Sequence, residues 1–371
     1  MSEPLICLNM IVKDEAHVIR RCLDSVLPFI DTWVIVDTGS TDGTQEVIRS
    51  HLAAAGKPGE LHERPWKDFG TNRSEALELA RGKARYTFII DADEVFETPA
   101  GFKWPKLSAD CYHILHRVGQ SETTFWLGQL VRSALPWRYV GVLHEGLACS
   151  EPHRTERLPG PLTHGHFDSA RNKLDQVEKY TRDALVLEKA LQTEPDNARY
   201  VFYLGQSWRD AKQHEKSLAA YQRRASMPGW EEEGWYAQLQ VARLLERLGR
   251  RAEAIEGYLK AYQRRPQRAE PLCDLARMHR ETKSFEVAML FASKAKDLPK
   301  PPDTLFVDES VYRWRALDEY AVACYWVGHK SECAAVSELL LMEGRLPESQ
   351  RARVEKNRQM AVQNQVQGQR L

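Results

Sequence analysis

Residues 86–94 read Tyr86-Thr87-Phe88-Ile89-Ile90-Asp91-Ala92-Asp93-Glu94 (YTFIIDADE), a five-residue apolar run leading straight into two carboxylates one residue apart. A short run of aromatic and β-branched residues closed by acidic turn formers is a buried strand that ends at a sheet edge. Working outward, residues 6–12 (ICLNMIV) repeat that character, and residues 14–27 place Val18, Cys22 and Val26 on one helical face. Residues 33–36 form a further strand, broken at once by Asp37-Thr38-Gly39-Ser40-Thr41-Asp42-Gly43-Thr44. The two glycines mark a loop, and Asp42 or Thr44 can cap a helix running to about Leu52. A short strand is expected at 60–63 and a helix at 72–84, with later strands at 111–116, 125–132 and 139–143. Strands alternating with helices specify βαβ units and a mostly parallel, Rossmann-like α/β sheet, whose ligands sit at the C-terminal ends of the strands.

From Asp175 the pattern changes to Ala, Leu, Arg, Glu and Gln, with apolar residues three to four apart. AEAIEGYLKA, from Ala252, carries Ala254-Ile255 with Tyr258 and Ala261, which echo Ser217-Leu218 with Tyr221 and Ala288 with Ala292 and Ala295. Ala288 lies 34 positions after Ala254, the period of a tetratricopeptide (TPR) helix pair, although the neighbouring intervals of 37 and 46 are irregular. The expected organisation is an α/β domain over 1–170 and an all-α, TPR-like repeat over 171–349. A C-terminal helix or partly disordered tail follows over 350–371, where the apolar pattern is lost.

The chain has 371 residues, 52 basic and 52 acidic side chains and hence no net charge, with 43% hydrophobic and 28% charged residues. That balance argues against a broad electrostatic grip on nucleic acid or an anionic membrane. No apolar run approaches the ~20 residues of a membrane span. Seven scattered cysteines without C-x-x-C spacing fit reduced thiols, and no basic-then-apolar leader is evident, so a cytoplasmic protein is expected.

Asp91-Ala92-Asp93 is the sharpest chemical signal. Paired carboxylates at a strand end raise each other's pKa unless a cation holds them ionised. A hard ion such as Mg²⁺ or Mn²⁺ takes one or two carboxylates and completes its shell with water and phosphate oxygens. Asp37, directly after a strand, stands where an acidic side chain meets a nucleotide's ribose or base. No lysine follows the loop glycines as in a phosphate-cradling loop, and G-x-G-x-x-G is missing, which argues against a dinucleotide oxidoreductase. Group transfer to a nucleophile needs a base for its proton, and Glu145 after Val140, Val142 and Leu143 is placed to be desolvated. His144 can orient that carboxylate, and His164 or His166 can serve as a neutral imidazole ligand. Bland readings suit His113-x-x-His116 (opposite strand faces), Trp66 with Phe69 (loop anchoring) and the Arg223-Arg224, Arg250-Arg251 and Arg264-Arg265 pairs near helix ends. Those arginines can alternatively line a groove for an acidic acceptor, nucleic acid included.

Three ordered motifs, NMIVKDE (from Asn9), VDTGSTDGT (from Val36) and DADE (from Asp91), resemble family 2 glycosyltransferases of the GT-A fold that carry a C-terminal TPR-like region, including the group containing peptide S-glycosyltransferases. RYVFYLGQSW (from Arg199) and EEEGWY (from Glu231) resemble that group's helical part. The resemblance implies that Asp37 binds the nucleoside of a sugar donor, expected to be uridine-linked, with Asp14 and Glu15 beside it. Lys-Asp-Glu stands here where Lys-Asn-Glu is common. It implies Arg73 next to the donor and Asp91 and Asp93 on the metal and diphosphate. It further implies His144-Glu145 at the acceptor side, His164 or His166 reaching the metal, and inversion at the sugar carbon. The expected function is metal-dependent transfer of a hexose-like sugar from a nucleotide sugar to a peptide, saccharide or modified base held by the TPR-like domain, which can also pair two protomers. The competing readings are a non-catalytic TPR scaffold with a degenerate N-terminal domain and a nucleotidyltransferase.

Overall fold

The computed structural model describes residues 3–119, 124–173, 175–303 and 305–368. They form two compact units, Met1–Thr193 and Glu194–Leu371. In chain order the strands of the first unit begin β1 (Ile6–Val12), β2 (Thr32–Asp37), β3 (Gly59–Glu63), β4 (Tyr86–Ile89) and β5 (Glu94–Glu97). They continue with β6 (Cys111–Val118), β7 (Thr124–Arg132), β8 (Trp137–Val140), β9 (Gly146–Cys149) and β10 (Thr155–Gly165). Its helices are α1 (Ile19–Val26), α2 (Thr44–Ala54), α3 (Phe69–Ala80) and α4 (Gln176–Thr193).

Eight strands make one sheet in the order β3-β2-β1-β4-β7-β6-β10-β5, and β8 and β9 make a separate ribbon. The first four run parallel, as the alternation of strands and helices predicts, and β10 is parallel to β6. The pairings of β7 with β4 and β6, and of β5 with β10, are antiparallel. β4 and β5 stand four strand spacings apart in the sheet, about 19 Å if it were flat. Residues 90–93 join them through a turn closed by Glu94 N–H on Asp91 O at 3.0 Å. Such a turn is shorter than the roughly 17 Å of five extended Cα steps. The sheet therefore curls until its far edge meets the end of β4, and Asp91 to Asp93 lie at that seam.

β1 explains the two faces. Ile6, Leu8, Met10 and Val12 pack with Ile19, Leu23 and Val26 of α1, Ile48 and Leu52 of α2, and Phe88 of β4. Cys7 on the opposite face meets Val34, Ala80 and Ala84. The Asn9 side-chain amide donates to Val34 O (3.1 Å) and Ala76 O (3.0 Å), which ties α3 to the sheet. Helix α1 begins at Ile19, not at 14, because Asp14 takes a left-handed φ of 57° and the chain turns before entering the helix. The unpredicted strand β10 contains Pro159 and a Gly160 at φ 108°, and its register against β6 shifts between Arg157 and Leu162. A proline inside a bulged strand erases the alternation that reveals strands in sequence.

The second unit is all-α: α5 (Ala198–Asp210), α6 (His214–Ser226), α7 (Glu231–Arg247), α8 (Arg251–Arg264), α9 (Glu270–Glu281), α10 (Phe285–Lys296), α11 (Ala316–Trp326), α12 (Lys330–Met342) and α13 (Glu348–Gly368). Successive helices pack as pairs, the TPR-like arrangement that the repeat spacing anticipates. Small residues set how closely they approach. A Cβ on Gly205 would fall 2.9 Å from the Tyr221 ring, and one on Gly257 3.0 Å from Ala242 Cβ. Fully buried Trp235 donates its indole N–H to Ala261 O at 2.9 Å, and the Arg268 guanidinium lies 3.8 Å over its ring.

Two expected boundaries move. The first unit extends through α4, which is tied back to the preceding segment by Arg171–Asp183 (2.5 Å) and Lys179–Asn172 (2.8 Å). The stretch beyond 350 is helical to Gly368, because Val354 and Ala361 are buried and Arg353 pairs with Asp318 at 2.8 Å. The remainder of the expected tail, 369–371, lies outside the described residues. The paired arginines do not form an open basic groove. Arg224 is buried against Glu233, Arg264 meets Glu231, Arg265 meets Asp303, and Arg250 meets Glu253.

Replacing Trp235 by alanine is expected to cost about 3–5 kcal/mol of stability through lost transfer energy and the cavity left behind. Urea denaturation followed by circular dichroism measures it, and a loss below about 1 kcal/mol would show that the indole is not a core element.

Candidate active site

Two loops interlock at the C-terminal ends of β1 and β2. Asp37 Oδ1 accepts from the backbone N–H groups of Gly39 and Ser40, both at 2.9 Å, and from the Gln45 amide at 3.1 Å. Across the gap, Asp14 Oδ1 accepts from Thr41 N–H (2.8 Å), and Asp14 N–H donates to Ser40 Oγ (2.8 Å). Glu15 N–H donates to Thr44 Oγ1 (2.8 Å), and Asp42, which caps α2 by accepting from Thr44 N–H, also accepts from Ala16 N–H (3.0 Å). Asp37 is buried, and its Oδ2 has no partner. A buried acceptor without a donor is costly, and it matches a ligand that brings an N–H or hydroxyl.

These loops form one wall of a cavity of about 1050 Å³. Asp14, Glu15, Arg73, Asp91, Asp93, His144 and Glu145 all line it, although 131 residues separate the first from the last. Arg73, on α3, stands at its centre. One terminal nitrogen lies 2.7 Å and 2.9 Å from the two Asp91 oxygens. Its Nε lies 2.8 Å from Glu145 Oε1, an ion-pair contact too bent for a hydrogen bond, and the guanidinium sits 5.5 Å from the Tyr139 ring centroid. Burial opposes its charge, yet the nearby Asp91, Tyr139 and Glu145 hold its proton more tightly than usual.

The carboxyls around it are shifted by their setting. Burial pushes Glu15 up to about 7, reinforced by the charges of Asp93, Asp42 and Asp91 and opposed by the Ala170 N–H. Asp93 is raised by burial and by Asp91, with bonds from Ser169 opposing the rise. Glu145 is raised by burial, while Arg73 pulls it back. The last residue of DADE, Glu94, is buried beside Asp91 and pushed up to about 8; Gln129 donates to it at 3.3 Å and His116 Nδ1 lies 3.6 Å away.

No three carboxylate, imidazole or thiolate donors converge within 4.8 Å in this cavity among the described residues. Asp91 is committed to Arg73. Asp93, held by Ser169 and crowded by like charge, is the better placed ligand. This donor set fits a small hard ion held by one or two carboxylates together with phosphate oxygens, not an all-protein cage.

The histidine expectations fare differently. His144 lines the cavity at a left-handed φ of 51°. His164 and His166 do not line it. His164 Nε2 lies 2.8 Å from Gly119 O and its Nδ1 3.0 Å from Glu97, so both ring nitrogens are engaged on the β10–β5 side. The His166 ring packs against His164 at 4.2 Å. Strand parity explains the outcome, since β10 presents Gly165, not its neighbours, to the cavity.

Several lining residues had only a bland reading from the sequence, or none. His116 is buried on the cavity side of β6, with Nδ1 3.0 Å from Thr163 Oγ1. Trp66 (39% exposed) packs edge-on against Phe69 at 4.7 Å, and exposed Phe167 joins them in the wall. Helix α4 closes the remaining side with Lys179, Tyr180, Arg182, Asp183 and Val186. Burial and the neighbouring Arg171 lower the Lys179 pKa, against the pull of Asp183 and Asp93. A change of composition at 171 hid that α4 serves this cavity.

Residues 7–100, at the N-terminal end of the chain, match the model for glycosyl transferase family 2. The chain is 28% identical over 217 residues to a TPR repeat-containing protein of Synechococcus elongatus, covering 54% of this chain and 51% of that protein. It is 25% identical over 224 residues to the prophage-derived glycosyltransferase SunS of Bacillus subtilis, covering 54% and 49%. It is 34% identical over 109 residues to the lipopolysaccharide core biosynthesis glycosyltransferase LpsC of Rhizobium meliloti, covering 29% and 37%. The chain thus spans about half, or less, of the length of these relatives. Among the described residues, no helix is long and apolar enough to cross a membrane.

The raised carboxyls set a pH dependence. Glu15 ordinarily titrates near 4.5 but holds its proton to about 7 in the fold, so its contribution is full below 4.5 and is lost as pH rises through 7. With divalent ions chelated, this group is expected to remove on the order of 3 kcal/mol between pH 4 and 8. Denaturation midpoints across that range should fall more steeply for the natural chain than for Glu15→Gln; parallel profiles would refute the assignment.

Proposed function

We propose that the first unit transfers a hexose-like sugar from a nucleotide donor, uridine-linked, to a nucleophilic acceptor. The observation that carries this reading is the shared cavity: Asp14, Glu15 and Thr38 of the two interlocked loops, Asp93 at the seam and Glu145 all line it, and Asp37, buried directly before Thr38, keeps one oxygen without a partner. The nucleoside binds the loops after β1 and β2, its donors meeting Asp37. Asp93 would hold Mg²⁺ or Mn²⁺ together with the donor's phosphates. When bound, that ion supplies positive charge to the departing diphosphate.

The chain's own residues do the rest. Glu145, desolvated but still under the influence of Arg73, takes the proton from the acceptor as the acceptor attacks the anomeric carbon. Arg73 contacts both Glu145 and Asp91 and fixes their positions on either side of its guanidinium. Lys179 and Arg171 add positive charge beside the cavity, where diphosphate charge develops. A single in-line displacement with one base on the acceptor side inverts the sugar carbon. The TPR-like repeat is proposed to hold the acceptor, a peptide or saccharide, and one relative named above is, by its name, a lipopolysaccharide core biosynthesis glycosyltransferase.

Three outcomes test the reading. A nucleotide sugar with Mn²⁺ should raise the melting temperature, and Asp93→Asn should abolish the Mn²⁺-dependent part of that shift. Glu145→Gln should keep the donor-induced shift but slow transfer by about 10²–10⁴-fold, measured as nucleoside diphosphate release. Absence of stabilisation by any nucleotide sugar with either ion would overturn the proposal, and full turnover by Glu145→Gln would remove Glu145 as the base.

A further inference from the structure

The turn between α11 and α12, in the second unit, brings together three unlike donor groups. Cys324 Sγ, a ring nitrogen of His329 and a carboxylate oxygen of Glu332 all lie within 4.8 Å of one another. Cys324 is fully buried near the end of α11, whereas His329 and Glu332 are exposed at the start of α12. The group is thus closed by protein on the sulfur side and open to water on the other. The backbone holds the turn in place. Gly328 takes a φ of 93°, His329 N–H donates to Cys324 O at 2.8 Å, and Cys333 N–H donates to His329 O at 3.1 Å.

A further contact organises the carboxylate. The Tyr320 hydroxyl, one helical turn before Cys324, donates to Glu332 Oε1 at 2.5 Å. Outer-shell donors of this kind orient ligating carboxylates at metal centres. Packing alone accounts for a buried cysteine, as it does for Cys333 nearby. It does not account for an imidazole and an oriented carboxylate meeting the same sulfur.

We propose that Cys324, His329 and Glu332 bind a zinc ion, with water as the fourth ligand. Magnesium, calcium and manganese prefer all-oxygen shells, whereas mixed sulfur, nitrogen and oxygen donors select zinc. Tetrahedral zinc with bonds of about 2.0–2.3 Å places its ligands roughly 3.3–3.8 Å apart, a small contraction from the present spacing. With ligands on both sides of the turn, the ion clips α11 to α12. This site uses no residue of the glycosyltransferase cavity, so its fate is independent of that reading.

Cobalt(II) reports the ligands directly, because a cobalt–thiolate bond produces an intense near-ultraviolet charge-transfer band. The reduced full-length chain should take up one cobalt ion with that band, and added zinc should bleach it. Cys324→Ser and the surface variant His329→Ala should each abolish the band, while Asp93→Asn should leave it unchanged. Tyr320→Phe should weaken zinc binding by roughly ten- to a hundredfold. Absence of the band in the folded natural chain, or its survival in His329→Ala, would overturn the proposal.

Discussion

One guanidinium sits between two carboxylates that would otherwise repel each other in a poorly hydrated space. Arg73 touches Asp91 through a terminal nitrogen and Glu145 through Nε, and the Tyr139 ring lies beside it. Removing one member of such a buried set leaves an uncompensated charge, which is far more costly than the net worth of the pair. The arrangement also joins three distant pieces of chain: helix α3, the end of β4 and the segment after β8. The cavity keeps its shape because these pieces share one charge.

Around that centre the structure concentrates negative charge with few positive groups to balance it. Glu15, Asp93, Glu94 and Glu145 are all raised above their ordinary pKa values, in each case first by burial. Carboxyls whose pKa is raised by burial are candidates for chemistry or for a cationic ligand. The proposed divalent ion and diphosphate would satisfy both the carboxylates and the basic residues of α4. The second unit handles charge in the opposite way, with Arg224, Arg265 and Arg268 buried against Glu233, Asp303 and Glu270. There the pairs are complete, and they belong to the architecture of the repeat.

Much of this was legible in the chain itself. The parallel strands β1, β2 and β4 announce themselves as apolar runs ended by acidic or glycine-rich turns, because a strand buried on both faces cannot carry polar residues until it leaves the sheet. The loops carrying Asp14, Glu15 and Asp37, and the pair Asp91 and Asp93, follow from where those runs stop. The helical repeat is visible for a related reason, since each helix pair must bury a small-residue stripe against its neighbour.

What the linear pattern could not contain is the pairing of distant surfaces. Bulged β10 carries a proline, so its alternation vanished, and with it the parity that turns His164 and His166 away and presents Gly165. Helix α4 resembles the repeats in composition but closes the cavity, because amphipathic periodicity reveals that a face is buried and not what it is buried against. His116 and Glu94 meet because β6 and β5 flank β10, whose Gly165 leaves room between them. Local composition therefore determined the elements and the acidic strand ends. The curl of the sheet, a long-range consequence of strand pairing, decided which side chains share the cavity.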